Sequence, residues 1–207
     1  MEAFILGKKT GMTQVWKDEK VIPVTVIKAA PNKIDLIRTK ERDGYIAVRL
    51  SASAPVGRRR VHREFRLLSS LPEEIKAGRV VSVSDFSPGD NISVSGLSIG
   101  KGFQGVVKRH GFAGSKKTHG TKDRLRAPGS IGAGGVQRVF KGMRMGGRMG
   151  GRKITIKNLT VIAVNPDAGE LLIKGAVPGN RRTLLTIRRL ASALGGESAS
   201  AKENKSN

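Results

Sequence analysis

Residues 101–153 constrain this chain more than any other stretch. They read KGFQGVVKRHGFAGSKKTHGTKDRLRAPGSIGAGGVQRVFKGMRMGGRMGGRK, in which fourteen residues are Lys or Arg, fourteen are Gly, and Asp123 alone is acidic. The apolar residues, among them Phe103, Val106, Val107, Phe112, Leu125 and Ile131, come singly or in pairs. They follow neither the helical nor the alternating period that makes a buried face. Such a segment cannot build a core of its own. Loops this long in compact domains are usually functional or disordered. Glycine permits close backbone approach, and dense positive charge without acids calls for a polyanion. The expected element is an extended arm that orders within folded nucleic acid, carried on a separate folded domain.

Charge supports that partner beyond the arm. Lys and Arg number 39 against 16 Asp and Glu, for a net charge of +23. The arm accounts for somewhat more than half of this excess, so the remainder is basic too and is expected to touch the polyanion as well. A merely well-solvated surface is the plain alternative, but self-repulsion at this charge burdens a free monomer. No apolar run approaches the length of a membrane span, and the arm's glycines argue against an amphipathic surface helix. The opening MEAFILGKK has too short an apolar run for a signal peptide and an acid at Glu2. With no cysteine in the chain, disulfides, thiolate chemistry and zinc fingers are excluded. A soluble cytoplasmic protein without a membrane partner is expected.

Outside the arm the pattern is strand-like. Residues 3–6 and 12–16 flank a GKKTG stretch that reads as a turn, and VIPVTVI (21–27) is a β-branched run that Pro23 pushes toward an edge or bulge. Residues 28–45 are turn-rich and charged. Further strand candidates are 45–52, 79–83, 92–95, 154–164, 170–174 and 183–187, with Pro-Gly and Asn-Pro-Asp turns between several of them. Short strands at this spacing suggest an antiparallel barrel or sandwich. The expected fold is mostly β: a barrel from residues 1–100 and 154–190, interrupted by the irregular arm at 101–153 and followed by a disordered tail at 191–207. A small, partly helical insertion is expected at 53–78. It holds GRRRVHREFRLL, whose Arg58, Arg59, Arg60 and Arg63 form either a solvated helix face or a second RNA contact, the latter favoured because no acidic run lies nearby.

The chemistry-bearing motifs are few. Residues 100–105 match G-x-G-x-x-G, but Gly111 and Gly114 interrupt any following helix and alternating βαβ units are missing, so a dinucleotide site is not supported. His62, His110 and His119 lack the companions of a metal site, and no carboxylate pair suggests acid–base work. No catalytic residue, cofactor, metal or small-molecule substrate is expected. The candidate RNA contacts are instead the arm's cations and imidazoles: Lys101, Lys108, Arg109, His110, Lys116, Lys117, His119, Lys122, Arg124, Arg126, Arg138, Lys141, Arg144, Arg148, Arg152 and Lys153. Arginine forks onto phosphate oxygens. Aromatic planes, including Phe103, Phe112 and Phe140, either stack on unpaired bases or pack the arm on itself. Gly102, Gly105, Gly129, Gly132, Gly142 and Gly146 are the candidate positions of close approach. Two other classes compete: a free-standing nucleic-acid chaperone, and an RNA-modifying enzyme that uses the arm as a guide.

Several motifs together resemble one family, the universal large-subunit ribosomal protein number three in its bacterial form. They are GKKTGMT (7–13), IPVTV (22–26), KGFQGVVKR (101–109), THG (118–120), RAPGSIG (126–132), VFKG (139–142) and LIKGAVPG (172–179). The resemblance implies a closed β-barrel of the kind shared with translation factors, whose extension reaches through large-subunit rRNA toward the peptidyl-transferase centre. It further implies early binding near the 3′ end of that rRNA, a part in nucleating subunit assembly, and neighbours in the large-subunit proteins numbered fourteen and nineteen. Members of the family are not enzymes. One departure stands out: Ala133 occupies the place where many bacterial members carry a methylated glutamine, and the modification is not carried over to Gln137.

Overall fold

The computed structural model describes residues 3–53, 60–67 and 75–190, with the backbone alone at 53 and 60. It is mostly β. The strands in chain order are β1 (Phe4–Lys17), β2 (Lys20–Lys28), β3 (Asn32–Arg38), β4 (Ala47–Ser53), β5 (Arg60–Arg66), β6 (Val80–Val81), β7 (Asn91–Leu97), β8 (Phe103–Gln104), β9 (Gly147–Arg148), β10 (Lys153–Asn165), β11 (Glu170–Lys174) and β12 (Leu184–Arg189). Two short helices, α1 (Lys40–Asp43) and α2 (Val106–His110), join them. The described residues divide into two compact units, one up to Gly96 and from Thr155 onward, the other Leu97–Ile154.

In the first unit six strands are hydrogen-bonded in the order β1-β12-β7-β10-β11-β2, and β2 pairs back with β1. The pairs β1–β12, β12–β7, β10–β11, β11–β2 and β1–β2 are all antiparallel. β1 opens with an unbroken apolar run because both of its faces are covered, as fully buried strands require. Ile5 enters one core with Ile27, Ile92, Leu171, Leu185 and Ile187. Phe4 and Leu6 point to a second core with Ile34, Val48, Leu50 and Phe65. Gly7 sits where any Cβ would come within 2.5 Å of the Ile27 side chain.

The GKKTG stretch is not a turn. β1 runs straight through it, absorbing one residue as a bulge between Lys9 and Gly11. The chain reverses later, at Asp18 and Glu19, whose φ of 50° and 60° are those of the tight hairpin turn that matches strand twist. Pro23 lies just past the β11 pairing, which begins at Val24, so its missing N–H interrupts no rung on that side.

The second sheet has the order β5-β4-β3-β6 and corrects two expectations. Residues 32–38, read as turn-rich, are β3; its charged residues alternate around Ile34, and a bulge between Ile34 and Leu36 shifts the register. The buried Asn32 amide ties this strand to the first unit's leading strand, donating to the Leu6 carbonyl at 3.1 Å and the Ala30 carbonyl at 2.9 Å. The insertion expected to be partly helical instead contributes β5 over Arg60–Arg66, and the described residues 75–78 hold no helix. The physical reason is a period of two: Phe65 and Leu67 are buried while His62, Glu64 and Arg66 are exposed, and Phe65 stacks on Phe4 at 4.9 Å between centroids. Five arginines in nine positions hide that alternation in the sequence. Residues 54–59 and 68–74, and with them Arg58, Arg59 and the remaining helical expectation, lie outside the described residues, as does the tail at 191–207.

Candidate nucleic-acid interface

The second unit is built on a narrow stem. Phe103 pairs with Arg148 and Gln104 with Gly147. The ladder continues outward, with the Met149 amide donating to the Gly102 carbonyl and the Lys101 amide to the Met149 carbonyl, both at 2.9 Å. Below them the Ser98 amide donates to the Arg152 carbonyl at 2.9 Å. The stem admits no side chain at Gly150: with φ of +73°, a Cβ there would stand 2.1 Å from the Ile99 carbonyl oxygen.

α2 follows the first stem strand and is a single turn. Gly105 caps its start, and Gly111, left-handed at φ of 74°, returns its N–H to the Val107 carbonyl. Lys108, Arg109 and His110 fill the C-terminal end, where positive charge complements the exposed carbonyls. The helix is tied across the arm. Arg109 Nη1 donates to the Met145 carbonyl at 2.7 Å, and His110 Nε2–H donates to the same oxygen at 3.0 Å. Gly147 leaves room for this guanidinium, since a Cβ there would meet Arg109 Nη1 at 2.7 Å.

Beyond the helix the arm is held by local turns. The Ser115 amide donates to the Leu125 carbonyl at 3.0 Å and the Ala127 amide to Arg124 at 3.2 Å; the Ser130 hydroxyl donates to the Gly132 carbonyl at 2.8 Å. These bonds shape a path without burying it. Val106, 4% accessible, is the buried hydrophobic residue of the unit, whereas Phe103 is 79% and Phe140 51% exposed, joined by Ile131, Val136 and Val139.

The cations lie on that open path. Lys101, Lys108, Lys116, Lys117, Lys122, Arg124, Arg126, Arg138, Lys141, Arg144, Arg148, Arg152 and Lys153 are exposed, and so is His119; Arg109 and His110 are half-buried. Among the described residues the salt bridges Arg38–Asp43, Arg38–Glu64, Arg79–Asp85 and Arg189–Asp90 belong to the first unit. Arg138 lies over the Phe140 ring at 6.0 Å, and His110 tilts against Phe112 at 6.1 Å. Of the candidate glycines, Gly102, Gly129 and Gly142 are left-handed with open space at the Cβ position, Gly105 and Gly132 are open, and Gly146 touches Phe103 and Gln104. Sequence reasoning did not single out Gly114, Gly147 and Gly150 as positions of close approach, though their absent side chains admit another part of the second unit. The doubled Gly-Gly-Arg in residues 146–152 was the available signal.

In the first unit Arg63 is exposed on β5. On that same strand His62 Nδ1 meets Asp35 Oδ2 at 2.7 Å, and the Ser51 hydroxyl donates to Asp35 Oδ1 at 2.9 Å. Burial raises the Asp35 carboxyl, but the hydrogen bonds from Ser51 and His62, with the charges of His62 and Arg49, outweigh it and hold the group below its ordinary value. Among the described residues no cluster of His, Asp or Glu has the makings of a metal site, and no helix is long and apolar enough to cross a membrane.

An exposed basic surface with apolar and aromatic side chains interleaved, on a backbone thinned by glycine, can neutralise phosphates and fill spaces between nucleic-acid strands. Comparison with known proteins points the same way. A family model described as Ribosomal protein L3 matches residues 70–171. The chain is 45% identical over 205 residues to the Large ribosomal subunit protein uL3 of Acidothermus cellulolyticus, covering 90% of this chain and 92% of that protein. It is 44% identical over 206 residues to the protein of that name from Streptomyces avermitilis, covering 90% and 95%, and 42% identical over 213 residues to that from Salinispora tropica, covering 94% and 96%.

Proposed function

The chain belongs to the ribosomal protein L3 family, and on that premise we propose that residues 101–153 are an rRNA-penetrating arm. The protein is a structural constituent of the large ribosomal subunit, not an enzyme, and its place is the cytoplasmic ribosome. The finer reading is that it binds early, near the 3′ end of the large-subunit rRNA, and helps nucleate assembly. The arm runs toward the peptidyl-transferase centre, and the large-subunit proteins numbered fourteen and nineteen lie alongside. The six-stranded ring is the closed barrel of translation-protein type that carries it.

One observation carries this reading: the arm exposes its cations and its apolar side chains together, with Val106 its one buried hydrophobic residue. A solvated surface has no use for the exposed apolar groups, and a protein-binding surface has no use for so many unpaired cations. RNA uses both. The phosphates take the Lys and Arg side chains, while bases and sugar edges take Phe103, Ile131 and Phe140.

Sedimentation of lysate through sucrose at low and high salt, following the chain by mass spectrometry, tests it. Retention on the large subunit after a high-salt wash is expected of an arm enclosed by RNA. Release into light fractions as salt rises would favour the peripheral, chaperone-like alternative.

A further inference from the structure

The first unit contains a cleft that shares no residue with the arm. Its volume is about 770 Å³, within the range of about 300–1,000 Å³ typical of small-ligand sites. The floor is apolar, formed by Leu6, Ala29, Pro31, Ala52 and Leu184. Around it stand Lys8, Lys28, Arg181 and Arg182, with Asp167 the acidic residue lining the cleft among the described residues.

The walls are fixed by backbone. The Ala29 amide donates to the Gly169 carbonyl at 2.8 Å, the Arg182 amide to Lys9 at 2.7 Å, and the Lys9 amide to Thr183 at 3.1 Å. Lys9 is held by its own contacts, its Nζ donating to the Val177 and Gly179 carbonyls. Arg182 is the unusual member. It holds a left-handed backbone, φ of 65°, where Gly or Asn would sit comfortably and a long side chain rarely does. Such conformations persist where the surroundings over-determine them, and they gather at functional sites. Here the result is two consecutive exposed arginines at the mouth of an apolar cleft.

We propose that this cleft is a second RNA site, receiving one unpaired nucleotide whose base lies on the apolar floor and whose flanking phosphates bridge Arg181, Arg182 and Lys28. The floor suits a base plane, and the forked guanidiniums suit phosphate oxygens. A purely acidic peptide would leave the floor unused. The inference rests on the RNA-binding reading above but engages none of the arm.

The test uses the full chain and an oligouridylate of about nine nucleotides, a length within single-strand site sizes, carrying one central 4-thiouridine. After irradiation, crosslinks are expected in peptides spanning 28–31 and 181–184 as well as in the arm. The double variant Arg181→Gln, Arg182→Asn removes both charges, and Asn accepts the left-handed backbone, so the urea midpoint should hold. Its plot of log affinity against log salt should be shallower by about 1.4, at about 0.7 per phosphate contact on single strands. Crosslinks confined to 101–153 with an unchanged slope would overturn the cleft and leave the arm standing. An oligonucleotide abasic at its centre that binds the chain as tightly, with no loss on making the double variant, would also overturn it. No crosslink at either place would remove both readings.

Discussion

Gly150 and Gly132 separate what the arm's own backbone requires from what a partner requires. At Gly150 the chain is left-handed and a Cβ would lie 2.1 Å from the Ile99 carbonyl oxygen, a backbone atom that cannot move aside as a flexible side chain would. Gly150→Ala should therefore open the stem in the free protein, at a local cost of about 1–3 kcal/mol for the backbone strain alone. The expected readout is faster amide exchange at Lys101 and Met149, whose N–H groups close the rungs beside it. Gly132 has open space around its Cβ position and no left-handed φ. Gly132→Val should shift the free protein's stability by no more than about 0.5 kcal/mol while lowering the yield of complete large subunits, because the side chain would enter the space proposed for RNA. Normal subunit yield from Gly132→Val would refute the close approach assigned to that glycine.

At the scale of elements, the sheet β5-β4-β3-β6 is where residue pattern and charge disagree. Phe65 faces the second core and stacks on Phe4, so Phe65→Ala should cost about 3–5 kcal/mol by denaturant unfolding, while Arg63→Ala, exposed two residues earlier on the same strand, should stay within about 0.5 kcal/mol. Equal costs would contradict the strand. Three strands meet at Asp35, which accepts from Ser51 of β4 and pairs with His62 of β5. Its carboxyl lies below the ordinary value of 3.8, so the stability it contributes is complete above that value and is lost as pH falls through the lowered one. In wild type the urea midpoint should fall across that acid window, and Asp35→Asn should flatten this component; an identical acid profile in both would remove the assignment. The ladder strands were readable because their alternation is clean, as in β11, where Leu171 and Ile173 are buried within Glu170–Lys174. β3 and β5 were not, since a bulge in one and a run of arginines in the other mask the period of two. The arm's cations were legible from composition alone. The role of Arg109 was not, because its tie to the Met145 carbonyl joins positions far apart in sequence.

For the whole molecule, the two cores are assembled entirely from residues before Leu97 and after Ile154. Folding and the RNA engagement proposed for the arm therefore draw on different parts of the chain, and they should be separable. β7 and β10 are hydrogen-bonded neighbours, so residues 98–152 can be replaced by an Asn-Gly hairpin turn, which suits a short antiparallel connection. The shortened chain should unfold cooperatively with a midpoint close to wild type, because no core side chain is lost. Its RNA binding should differ sharply. If about ten arm cations contact phosphate, log affinity in the full chain should fall against log salt with a slope of about −7 to −9, at about 0.7 to 0.9 per contact. The shortened chain should keep only the shallow remainder that the first unit supplies. Loss of cooperative unfolding would show that the arm takes part in the fold. An unchanged salt slope would show that the arm's charge does not reach the phosphates.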